Sequence, residues 1–338
     1  MSGNTFGMWG AMALILAPLA GAQSYTVTDL GTLGGTVTAV TGINDLGQVT
    51  GYSELSNGDK FAFVWTKKGG MQNIGTLSGD TTSAAGAINN SGEVCGLSYS
   101  ASGNAEAFLW TESGGMEGLG SLGGQTSNAL GINDHGTVVG YSYLADNGTY
   151  HAFLWTNAGG MQDLGTLDGV GSSSAQAINN SGEVVGYSYL PGDKYYHAFL
   201  WTQAGGMQDL GTLGGNYSSA EAINESGQVV GYSTLPSSSI NTAFFWTRSG
   251  GMQSLNTGRY SAANGINATK QVVGAMGPNP HAFLWEPGGA PQDLNNLIPS
   301  DSGWFLGSGA GINRSGMIAA GGFFNGQYDQ AALLTPTN

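Results

Sequence analysis

Between Ser174 and Leu213 the chain reads as four short apolar runs, SAQAIN, EVVGYS, HAFLWT and MQDLGTL, separated by Gly, Asn, Ser and Thr. Runs of this length, rich in Val, Ile, Phe, Trp and Tyr and bounded by turn residues, predict β-strands. We label them a to d: Ser174–Asn179, Glu183–Ser188, His197–Thr202 and Met207–Leu213. Strands a and b are joined by Asn179-Asn180-Ser181-Gly182, in which Asn opens a tight turn and Gly takes its left-handed position. Strand c places Ala198 and Leu200 on one face and Phe199 and Trp201 on the other. Side chains alternate along a strand, so both faces are apolar and both must be covered.

The same four runs recur along the chain. The Phe-x-Trp signature carries Trp65, Trp110, Trp155, Trp201, Trp246 and Trp285, and Ala331-Ala332-Leu333-Leu334 is a degenerate seventh copy. An Ile-Asn pair occurs seven times, from Ile43-Asn44 to Ile312-Asn313. Four antiparallel strands every ~45 residues, each unit covered by its neighbours, are the arithmetic of a β-propeller. The predicted fold is therefore all-β, a single seven-bladed propeller over residues 23–338. A lone d strand, Tyr25–Leu33, precedes the first unit, and the last unit ends after its c strand near Thr335. Residues 25–33 are expected to complete the last blade and close the ring, leaving no unpaired seam. Lys270 replaces the turn Gly in the sixth unit and should cost ~1 kcal/mol if it keeps the left-handed conformation.

The sequences HAFLW (151–155, 197–201, 281–285), DLGTLGG (29–35, 209–215) and GIN-D-x-G (42–47, 131–136) resemble the HAF-repeat family of bacterial extracellular proteins. The match runs over nearly all of Tyr25–Thr335. It implies an exported repeat protein and brings no catalytic residues with it. Phe61, Glu106, Thr242 and Gln330 stand where the motif has His, so that His is optional in this chain.

Composition narrows the functional classes. The chain has 338 residues with 60 glycines, and 8 Lys and Arg against 22 Asp and Glu give a formal charge of -14. Such a surface repels phosphate backbones and anionic membranes, so nucleic acid is not an expected partner. Met1–Ala22 holds an apolar stretch and ends in Ala20-Gly21-Ala22, which predicts an export signal cleaved after Ala22. The apolar stretch is too short for a spanning helix, and no membrane span is expected in the mature chain, placed outside the cytoplasm. Cys95 replaces a valine of the repeat and is expected to pack like one.

Candidate chemistry is sparse. His151, His197 and His281 hold equivalent positions in three units, where rotation about the ring keeps them from meeting at one metal ion. Carboxylates recur at the a–b turn (Asp45, Asp134, Glu225) and on strand d (Asp29, Asp163, Asp209, Asp293), interchanging with Asn as turn residues do. No phosphate loop, nucleophile elbow or twelve-residue calcium loop is present, and no cofactor is expected. The b–c connections, in contrast, vary from unit to unit on the face opposite the uniform turns, and variable loops on a rigid frame are where binding normally resides. Those of units three and four carry Tyr143, Asp146, Tyr150, Tyr189, Asp193, Tyr195 and Tyr196, which suit sugar stacking or a protein surface. Two functions follow: an exported, non-catalytic module that binds a glycan or an extracellular protein on this face, or an extracellular polysaccharide-active enzyme on the same scaffold, which needs a paired carboxylate site.

Overall fold

The structure, a computed structural model, describes residues 23–192 and 194–337. The predicted signal, Met1–Ala22, lies outside the described residues. Among those described, no helix is long and apolar enough to cross a membrane. The chain forms seven four-stranded antiparallel sheets arranged as a seven-bladed propeller. Blade 4 consists of Ser173–Ile178, Val184–Tyr189, Tyr196–Thr202 and Gly206–Asp209, in sequence order from the innermost strand outward.

Blade 7 is assembled from both ends of the chain. Trp304–Ile312, Ile318–Phe324 and Gln327–Thr337 supply strands a to c, and Ser24–Asp29 pairs antiparallel with the last of these as strand d. The register runs from Ser24 opposite Thr337 to Asp29 opposite Ala332. The ring is thus closed by backbone pairing, as expected from the offset between the two ends.

Strand d is shorter than its apolar run predicts, four residues in blade 4 rather than seven. Leu210 still donates its N–H to Ala198 O, but Gly211 then adopts φ +73° and its N–H is taken by the Asp209 carboxylate at 2.7 Å. This Asp-centred turn lifts the chain off the blade, and the following Leu and Thr become the link to the next blade. The first strand ends the same way: Asp29 accepts from Gly31 N–H at 2.9 Å.

The core lies between blades. Val184, Phe199 and Trp201 of blade 4 pack on Val139 and Ala152 of blade 3, while Ala198 and Leu200 receive Phe244 and Trp246 of blade 5. In blades 1 to 6 strand c therefore offers large rings to one neighbour and smaller groups to the other, which covers both faces of the strand and sets the spacing of the disc. Cys95 is fully buried in the equivalent cluster between blades 2 and 3, and burial pushes its thiol up to about 12, so it serves as a small apolar group. Strand b carries Gly opposite Phe in six blades; a Cβ at Gly186 would lie 2.0 Å from Ser174 O, where strand a bulges toward it.

Around the axis the asparagine of each Ile-Asn pair joins its blade to the next. Asn44 donates to Asn89 O at 2.9 Å, and the series continues through Asn89, Asn133, Asn179, Asn224 and Asn267 until Asn313 returns to Asn44 O at 3.0 Å. Each Oδ1 also caps its own turn, as Asn179 does by accepting from Ser181 and Glu183 N–H. In the sixth turn Lys270 holds φ +70° and its N–H bonds to Asn267 O at 3.1 Å, so it keeps the left-handed conformation at a position built for Gly. Lys270→Gly should stabilise the chain by about 0.5–1 kcal/mol, measured by urea unfolding, because release of left-handed strain exceeds the added unfolded-state entropy.

Candidate binding site on the variable-loop face

The tyrosines singled out in blades 3 and 4 lie at the ends of strands b and c, where the variable loops leave the sheet. Tyr143 ends strand b of blade 3 and is paired with Tyr150 at the start of strand c; Tyr189 and Tyr196 repeat that pairing in blade 4. The rings cluster with the tyrosine two residues earlier on strand b. Tyr141, Tyr143 and Tyr150 have centroids 5.3–6.4 Å apart, and Tyr187, Tyr189 and Tyr196 have centroids 5.3–6.1 Å apart. The Tyr150 and Tyr187 hydroxyls, 3.3 Å apart, join the two clusters. Tyr217, in the link into blade 5, packs on both Tyr195 (5.6 Å) and Tyr196 (5.0 Å), and the Tyr196 hydroxyl reaches that of Tyr232 at 3.4 Å.

The result is one continuous row of half-buried tyrosines across three blades. Burial raises the pKa of the Tyr141, Tyr150, Tyr187 and Tyr232 phenols, so they are neutral at physiological pH and can both donate and accept hydrogen bonds. Lys194 extends over the Tyr195 ring, 5.1 Å from its centroid. Asp146 sits at a loop tip, where its carboxylate accepts from Gly148 and Thr149 N–H and from the Thr149 hydroxyl. It shapes its own loop, and these bonds hold its pKa below the ordinary value. Asp193 lies outside the described residues.

The histidines do not meet. His151 pairs with Asp163 (2.9 Å), His197 with Asp209 (2.8 Å) and His281 with Asp293 (2.6 Å), each within its own blade. Because the same Asp also caps the turn that ends strand d, each pair pins the outer strand to strand c. For Asp209, burial raises the pKa, but bonds from His197 and Gly211 N–H outweigh it and leave the carboxyl below its usual value. The turn carboxylates are likewise tied into the frame: Asp134 accepts from Asn90 N–H at 2.9 Å and from both the Asn90 and Asn180 side-chain amides.

Comparison with known proteins adds a family match and fold relatives. A model described as a protein of unknown function (DUF3466) matches residues 124–243. That segment runs from strand a of blade 3 into strand c of blade 5, and so contains the tyrosine row. No curated protein sequence matches the chain. Among solved structures, the β-propeller domain of the Trilobed protease from Pyrococcus furiosus is similar with a TM-score of 0.57 at 9% identity, over 93% of this chain and 98% of that one. TolB from Acinetobacter baumannii is similar with a TM-score of 0.50 at 10% identity, over 87% of this chain; the chain spans 65% of the TolB chain's length. These likenesses are of fold. The Pyrococcus domain is described as having an open velcro topology, whereas here the outer strand of blade 7 comes from the beginning of the chain.

Sequence reasoning passed over two groups on the variable-loop face. Tyr141, Tyr187 and Tyr232 belong to the repeated Gly-Tyr-Ser of strand b, and they are the floor on which the loop tyrosines rest. Blade 7 carries a separate aromatic group: Trp304 stacks on Phe324 at 4.9 Å, and Phe305, Phe323 and Tyr328 pack edge to face beside them. The signal for it was the loss of the repeat's own aromatic pair in that unit, with four aromatic residues appearing instead at the ends of strands a and b.

Proposed function

We propose that this chain is an exported HAF-repeat propeller that acts as a non-catalytic binding module, with a neutral glycan chain lying along the tyrosine row of blades 3 to 5. The observation that carries this reading is the row from Tyr141 to Tyr217, with neighbouring rings 5.0–6.4 Å apart within each cluster and the clusters joined by the Tyr150 and Tyr187 hydroxyls 3.3 Å apart. Successive pyranose rings can stack on successive tyrosines while the neutral phenols exchange hydrogen bonds with sugar hydroxyls. The rings are already packed on one another, so little side-chain entropy is lost on binding. The formal charge of -14 favours neutral over anionic polysaccharides.

The test is a glycan array probed with the chain from Gln23 and with its Tyr150→Ala and Tyr196→Ala variants. Stacking of about 0.5–1.5 kcal/mol per aromatic contact, together with the lost hydroxyl, predicts binding to neutral glycans weakened about tenfold by either substitution. No glycan signal, or binding unchanged in both variants, would refute the assignment of this face.

A further inference from the structure

The repeat varies at a second place, where the sequence gives little warning of its use. In every blade strand a contains a register shift, between Ala175 and Ala177 in blade 4 and between Ala220 and Ala222 in blade 5, for example. A β-bulge leaves one residue unpaired and re-aims its side chain. These bulged residues from all seven blades line a cavity of about 410 Å³ on the ring axis. The flanking positions are small in nearly every copy, but the bulged residue differs from blade to blade.

On blades 4, 5 and 6 it is Gln176, Glu221 and Asn264; on blades 7, 2 and 3 it is Ala310, Gly86 and Leu130, and on blade 1 it is the short Thr41, whose hydroxyl donates to Ala85 O at 3.0 Å. One side of the cavity is therefore polar and the other small or apolar. Local hydrogen bonds also fix which polar atoms are free. Gln176 Nε2 donates to Ser174 Oγ (3.3 Å), and Asn264 Nδ2 donates to Ser308 Oγ (3.1 Å) and Gly309 O (3.0 Å). Ser219 Oγ donates to Glu221 Oε1 at 2.7 Å. Gln176 Oε1, Glu221 Oε2 and Asn264 Oδ1 receive no donor among the described residues. Asn128 Oδ1, on the same cavity, is buried and has no hydrogen-bond partner. The polar side of the cavity thus offers acceptors and one carboxyl group.

We propose that this axial cavity binds a small organic ammonium ion, whose N–H donors are received by Gln176, Glu221 and Asn264 and whose alkyl part faces Leu130 and Ala310. An ammonium group has three donors and no acceptor, which complements the free oxygens of this wall and its one carboxylate. A hard metal ion fits less well: calcium takes about six to eight oxygens around it, and among the described residues no three His, Cys, Asp or Glu side chains are grouped to hold a metal. Burial raises the pKa of Glu221, a standing cost that a bound cation offsets. Tyr232 is the other titratable group that acts on it, and no second charged side chain lines the cavity.

The experiment is isothermal titration of the chain from Gln23 with n-butylammonium chloride at pH 8, alongside Glu221→Gln and Ala310→Leu. One saturable site is expected, at least tenfold weaker in Glu221→Gln and blocked in Ala310→Leu, which fills the cavity from blade 7 and leaves the carboxyl in place. Tyr150→Ala should bind butylammonium as the unsubstituted chain does, so this site and the glycan face can fail separately. In the absence of amine, Glu221→Gln should melt above the unsubstituted chain at pH 8. Because the folded carboxyl pKa is raised, this difference should vanish below the ordinary value of 4.5, where the group is protonated folded and unfolded alike. No saturable heat at millimolar amine, equal affinity in Glu221→Gln, or Glu221-dependent binding of calcium chloride in place of the amine would each overturn the proposal.

Discussion

A chain that begins at Gly34 should melt at least ~10 °C below one that begins at Gln23, and adding a synthetic peptide covering residues 23–33 should restore much of the difference. Tyr25, 1% exposed, and Leu30, 4% exposed, belong to two different core clusters, one between blades 6 and 7 and one between blades 7 and 1. Emptying sites of this kind costs about 2–5 kcal/mol each, against a total stability of about 5–15 kcal/mol for a typical domain. Tyr25 N–H also bonds to Leu297 O at 2.8 Å and Leu30 N–H to Ala331 O at 3.0 Å. Removal of the strand leaves Gln327–Thr337 as an unpaired edge, so the shortened chain should also aggregate as its concentration rises. Scanning calorimetry with and without the peptide measures both effects. A shortened chain with unchanged melting would contradict closure of the ring by this strand.

The architecture was legible because its determinants are local and repeated. Phe-x-Trp on strand c and Asn-x-x-Gly at the a–b turn each specify a strand or a turn without help from distant residues, and six copies of each with one degenerate copy give seven blades. The offset between Tyr25 and the last c strand then implied closure. Strand d was over-read because Leu210 and Leu213 are apolar for a different reason: they cover the junction with the next blade after the turn at Asp209 has ended the strand.

The candidate sites were less legible because they depend on contacts between blades. Tyr143, Tyr150, Tyr189 and Tyr196 stood out by their irregular surroundings, but their union with Tyr217 requires a link from blade 5 to fold back onto blade 4. Asp146 looked like a ligand group, and its carboxylate is occupied by its own turn. The axial position of Glu221 depends on a register shift that exchanges the faces of strand a, and periodicity alone places its side chain wrongly. A trace of the bulge is nonetheless written in the chain: a variable residue between two small ones, two positions ahead of each Ile-Asn pair.

Asn179→Ala is expected to cost about 3–5 kcal/mol, more than removal of a single surface loop contact could explain. Asn179 is 2% exposed and uses both ends of its amide. Nδ2 donates to Asn224 O at 3.2 Å and to Glu183 Oε2 at 2.8 Å, while Oδ1 accepts from Ser181 and Glu183 N–H at 3.1 and 3.0 Å. Truncation leaves several buried backbone groups without partners, each costing about 1–3 kcal/mol. Asn179→Asp separates the two functions of the side chain: it keeps the acceptor that caps the turn, removes the donor that reaches the next blade, and sets a carboxylate beside Glu183. It should therefore destabilise at least as much as the alanine at pH 7, and less at pH 4, where protonation restores a donor and relieves the repulsion. The seven asparagines form a closed circle, so Asn313→Ala, at the junction of blades 7 and 1, should cost as much as Asn179→Ala in the middle of the chain. Urea unfolding of these variants decides the matter: a neutral Asn313→Ala beside a damaging Asn179→Ala would mean that the inner circle is open at the seam, and that the outer strand alone holds the ring shut.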